Sequence, residues 1–157
     1  MPSLTESAPT PVDPLHHTLI DVAMTGRASV HRIDATQIGA ELREALLNYA
    51  ARDYLITHCA HESGAHRVLA LTLALGRGAQ CAEHAMAAYT TAAFAALALG
   101  HRARGILLLD AAFEAEEAVG RDYRLAHQLA LGVFLHELPA AAYREMARRT
   151  RLRLRLT

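Results

Sequence analysis

The chain has 157 residues, a formal net charge of zero and sixteen basic side chains, every one of them arginine. That length predicts one domain with its own apolar core, and the charge balance excludes a general pull towards nucleic acid or anionic membrane. The two cysteines, Cys59 and Cys81, make neither a C-x-x-C pair nor a disulfide framework, so reduced thiols are expected.

Four of the five prolines lie in the first fourteen residues. This Pro/Ser/Thr-rich start predicts a disordered tail over residues 1–15. It has no basic start followed by an apolar run, so it does not read as a signal peptide. Between Thr18 and Ile33 the pattern fits two structures. Val22 and Met24, then Gly26, then Ala28 and Val30 fit a short hairpin. Leu15, Leu19, Val22 and Ala23 fit a short helix, which agrees better with the helical character of everything downstream.

Asp34 with Gln37 three residues later resembles a capping box, and Ile38, Leu42, Ala45, Leu46 and Tyr49 follow at helical spacing. The spacing predicts a helix from Asp34 to His61 or Glu62, closed by Ser63-Gly64. Further helices are expected over Ala65–Leu75, Ala79–Leu99, His101–Val119 and Tyr123–Glu137, with Asp122 capping the last. A final helix starts at Pro139 and reaches about Arg149. The fold class expected is all-α: about six helices in one bundle over residues 16–149, followed by a basic Arg/Leu tail over 150–157.

The stretch Ala79–His136 contains no proline and is dominated by alanine, which costs no side-chain entropy in a helix and lets helices approach closely. Its longest apolar run, Ala85–Leu99, is interrupted by Tyr89, Thr90 and Thr91, so a membrane span is not expected and the protein reads as soluble and cytoplasmic. The helices either side of Gly100 should form an antiparallel hairpin. Tyr89, Ala93, Gly100, Gly105 and Ala112 have the layout of one tetratricopeptide-like unit, with small residues where two helices cross, and no second copy is evident. The helix after Asp122 is apolar on two sides, Leu125/Leu129/Val133 and Leu131/Phe134/Leu138, and is expected to be central and buried.

The run Ala92-Ala93-Phe94-Ala95-Ala96-Leu97-Ala98-Leu99-Gly100 is followed by Ala103-Arg104-Gly105, Leu109-Asp110-Ala111-Ala112, Tyr123-Arg124-Leu125-Ala126 and Leu138-Pro139. Together with Ala51-Arg52-Asp53 upstream, these residues resemble the C-terminal helical part of an actinobacterial family known only as domain of unknown function 4192, over roughly residues 45–145. The chain departs from it at Arg121-Asp122, where the family has Asp-Pro, and in lacking that family's long N-terminal α/β portion. The resemblance implies a helical fold and brings no chemistry with it.

Ten histidines raise the question of metal. His58, His61 and Glu62 fall at i, i+3 and i+4, and Cys81 and His84 at i, i+3. Two such helices side by side would offer ligands for a tetrahedral zinc ion, although no H-E-x-x-H spacing is present. Asp110, Glu114 and Glu117 line one stripe of a helix. That helix carries Arg102 and Arg104 at its start and acids at its end, both opposing its macrodipole. From Arg144 onward there are six arginines and one glutamate. Arg148, Arg149, Arg151, Arg153 and Arg155 are therefore expected to answer the acidic stripe, within the subunit or from a neighbour. The alternation Arg151-Leu152-Arg153-Leu154-Arg155-Leu156, if extended, separates three Leu from three Arg.

No nucleophile elbow, phosphate loop or Walker lysine is present. The functional expectation is a non-catalytic helical interaction or scaffold protein that self-associates, with no cofactor. The alternatives are a zinc-type protein using His58, His61, Glu62, Cys81 and His84, and a small nucleic-acid-binding regulator acting through the Arg tail.

Overall fold

The computed structural model describes residues 11–154, and every regular element among them is helical. In chain order these are α1 (Pro14–Thr25), α2 (Val30–Asp34), α3 (Gln37–Ala45), α4 (Tyr49–Thr57), a 3-10 turn (His58–Ala60), α5 (Glu62–Arg77), α6 (Ala82–Ala98), α7 (Arg102–Val119), α8 (Arg124–Phe134) and α9 (Ala140–Arg153). The all-α class is as expected. Among the described residues no helix is long and apolar enough to cross a membrane. Most of the expected disordered tail, residues 1–10, lies outside the described residues.

Of the two readings for residues 16–33, the helical one forms. The Asp13 carboxylate accepts the Leu15 N–H at 2.8 Å, and Pro14, which has no N–H to leave unsatisfied, opens α1. The Ser29 hydroxyl accepts the Arg32 N–H at 3.2 Å and starts α2.

The single helix expected from Asp34 to His61 is instead three segments. Asp34 closes α2, and its carboxylate is taken by the Arg43 guanidinium, so it caps nothing. Thr36 holds the N-cap position of α3 and turns its hydroxyl back to the Ile33 carbonyl at 2.9 Å. Asn48 then caps α4, accepting the Ala51 N–H at 3.1 Å. Ser63-Gly64, expected as a stop, falls in the first turn of α5. Residues 34–61 thus contribute more elements than the six-helix expectation allowed.

At the centre lies α6. From Met86 to Ala98 every residue except Tyr89 is buried, because α4, α5, α7, α8, α9 and the 3-10 turn all pack on it. A helix apolar all round must be covered all round. This corrects the expectation that the helix after Asp122 would be the central one. In α8 the stripe Leu125, Leu129 and Val133 is buried, whereas Leu131 and Phe134 of the other stripe are exposed and Leu138, beyond the end of the helix, is half-buried against the core.

The α6–α7 hairpin turns at Gly100, whose φ of +80° is one that residues with a side chain rarely adopt. Beyond the turn the two helices close to contact at Gly105. A Cβ there would lie 2.6 Å from Cδ2 of Leu97 and 2.8 Å from its Cγ, inside any real contact distance. Helix propensity alone predicts that Gly105→Val stabilises the chain by a few tenths of a kcal/mol. The close approach predicts the opposite sign, a loss of about 1–3 kcal/mol in urea unfolding with an unchanged m-value.

Candidate functional site

The expected zinc ligands do not converge. His58 ends α4, half-buried, with Nδ1 facing the carbonyls of Tyr54 at 3.2 Å and Leu55 at 3.3 Å. Burial pushes its pKa below the ordinary histidine value, outweighing these two backbone bonds, and so favours the neutral ring. His61 is exposed in extended backbone, and Glu62 reaches His66 at 3.7 Å. Because the chain straightens at His61, the i, i+3, i+4 face assumed for these three residues is not a helix face at all. Cys81 is exposed, and His84 Nε2 lies 3.0 Å from Glu44.

One other group of potential ligands does gather among the described residues: Glu116, Asp122 and His127, whose nearest ligand atoms lie within 4.8 Å of one another. Its internal bonds account for it. His127 Nε2 lies 2.8 Å from Glu116, and the same Glu116 oxygen accepts the Tyr123 N–H at 2.8 Å. Asp122, expected as the cap of α8, is exposed and stands 4.0 Å from His127. Tyr123 holds the N-cap position, and Glu116 satisfies its free N–H from the preceding helix.

The acidic stripe Asp110, Glu114 and Glu117 is exposed on α7, and no ion pair joins it to α9 among the described residues. Arg148 and Arg149 turn to Glu145 on their own helix, at 2.9 and 3.5 Å. The tail is not extended as far as Arg153, for a visible reason. Tyr143, Ala147, Thr150 and Leu154 are buried at helical spacing, and they carry α9 past Arg149. Arg151 is exposed on this helix, and Arg155 lies outside the described residues.

Sequence reasoning missed the buried polar centre. Arg52 is 4% exposed and Asp53 0% exposed, on adjacent positions of α4. Arg52 donates to Asp53 Oδ1 from Nη2 at 2.8 Å and from Nε at 3.1 Å, and its Nη1 donates to the Tyr123 hydroxyl at 3.0 Å. Its guanidinium carbon lies 4.8 Å from the Tyr49 ring centre and 5.4 Å from that of Tyr123. Burial works against the Arg52 charge, yet Tyr123 and Asp53 keep it protonated. Burial raises the Asp53 carboxyl above the ordinary carboxylate range, and Arg52 and then Arg153 draw it partly back. The arrangement ties α4 to the head of α8. Cys59, also buried, has its thiol pushed up by burial alone, which leaves it unreactive.

The most conspicuous surface feature is on α8. Leu131, Phe134 and Leu135 are 53%, 59% and 68% exposed, and they share one face at i, i+3 and i+4. Arg52→Met should cost about 3–5 kcal/mol in urea unfolding, because it strands a buried carboxylate. Adding Asp53→Leu should recover part of that loss. Additive losses in the double variant would contradict a coupled pair.

No protein-family model, curated protein or solved structure matches the chain.

Proposed function

We propose that this chain is a non-catalytic helical interaction protein that associates with copies of itself through the outer face of α8. The observation that carries this reading is the second apolar stripe of that helix. Of the second stripe, Leu131 and Phe134 face water, joined by Leu135 at the C-cap, while Leu138 is half-buried against the core. Three large side chains in one row make a natural centre for an interface, and such a centre needs a polar rim to reach the roughly 800 Å² per partner typical of stable complexes.

The split charge supplies rim chemistry. Asp110, Glu114 and Glu117 on α7 and Arg148, Arg149 and Arg151 on α9 are exposed. The acids make no ion pair within the described part of their own chain, so a neighbouring copy can answer them. In this reading the α6–α7 hairpin is a tetratricopeptide-like unit used as a scaffold. The resemblance to domain of unknown function 4192, carried by the same segments, adds no activity to it.

The test is sedimentation velocity across micromolar concentrations. The wild-type chain should sediment as a dimer or larger species. Leu131→Ser with Phe134→Ser should raise the dissociation constant at least about tenfold with an unchanged far-ultraviolet spectrum, and added salt should weaken association further. A monomer at every concentration would refute the reading.

A further inference from the structure

A groove of about 430 Å³ runs between α2, α5 and the first turn of α7 and shares no lining residue with the α8 stripe. Its volume falls within the range of small-molecule sites. Val30, Leu69 and Leu73 give it an apolar lining, and Arg77 and Arg104, both exposed, line it as well. Neither arginine has an ion-pair or hydrogen-bond partner among the described residues. The one carboxylate lining the groove, Asp34, is already engaged by Arg43. His31 and His66 complete the polar lining, and Glu62 stands 3.7 Å from the latter.

Arg104 is the informative member. A cation in the first turn of α7 opposes the helix dipole, at a typical cost of about 0.3–1 kcal/mol. Nothing among the described residues repays that cost. Arg102, two residues earlier, has a structural task, donating to the Val133 carbonyl at 3.4 Å, and Arg104 has none. Arg104 and Arg77 are both exposed and make no ion pair among the described residues, so their charges are available to an anion entering the groove. The aliphatic lining sets the rest of that ligand's chemistry.

We propose that the α2/α5/α7 groove binds an amphiphilic anion, an aliphatic body seated on Val30, Leu69 and Leu73 with its carboxylate held between Arg77 and Arg104. Arginine's planar fork suits a carboxylate, and a pair of them gives the strongest hold where water is partly excluded.

The full chain is titrated with sodium decanoate below its micellar concentration, read by calorimetry and by methyl NMR shifts. Saturable one-to-one binding is expected, with shifts centred on Val30, Leu69 and Leu73. Arg77→Gln with Arg104→Gln should weaken it at least about tenfold, the loss of a charge-assisted contact. Arg121→Gln, an exposed arginine outside the groove and 3.7 Å from Glu83, should leave it unchanged. Decanol should bind at least about tenfold more weakly than decanoate, and inorganic phosphate should not saturate the site. The proposal is overturned if decanoate does not saturate, if decanol or phosphate matches it, or if the shifts centre on Leu131 and Leu135. The shift map is made on the wild-type chain, so its outcome does not depend on how the variants fold.

Discussion

A helix with almost no polar side chain has to be covered on every side, and that requirement organises this molecule. Between Met86 and Ala98, α6 offers water only part of Tyr89. Its polar groups beyond that ring are the hydroxyls of Thr90 and Thr91, and the latter turns back to the Ala87 carbonyl at 2.8 Å. Burying such a rod is favourable in proportion to the apolar area hidden, but alanine hides little area per residue. The compensation is proximity. Small side chains allow α5 and α7 to lie close on either side, and the glycines at those contacts mark where the approach is tightest.

The side chains left exposed, and so open to recognition, lie outside this packed centre. The buried charges at Arg52 and Asp53 bond to each other within α4, and Arg52 reaches outside that helix to the Tyr123 hydroxyl. Arg52 holds the Tyr123 hydroxyl and Glu116 accepts the Tyr123 amide N–H, and together they seat the residue at which α8 begins. The position of α8 then decides which of its two apolar stripes is hidden. The uncovered stripe is thus a product of the core arrangement and not an isolated surface accident.

Much of this could be read from the chain, and the failures have physical causes. The hairpin at Gly100 was legible because glycine at a left-handed turn between two alanine-rich runs has few other uses. The helical character of residues 16–33 was legible only by analogy with the helices downstream. The caps at Asp34 and Asp122 were misread because a local rule cannot see a distant competitor. Arg43, nine residues away, claims the first carboxylate. At the second, Tyr123 takes the N-cap position in place of Asp122, held there by Glu116 from the preceding helix. The helix after Asp122 reads as central because leucine and phenylalanine at two spacings look more buried than a run of alanines. Here the reverse holds, since only the alanine helix can be surrounded. The Arg52–Asp53 pair was invisible as a core feature because adjacent opposite charges ordinarily signal a solvated face. The expected metal ligands shared a face only on the assumption of an unbroken helix, and the extended backbone at His61 removes that assumption.

Hydrogen–deuterium exchange, followed residue by residue across the micromolar range in which the proposed self-association would occur, tests the whole account most directly. A filled interior with recognition confined to its surface predicts that amides from Ala87 to Ala98 exchange slowest throughout that range, and that new protection on association is confined to the end of α8 and the charged faces beside it. Fast exchange in α6, or protection that spreads through α6 on association, would contradict it.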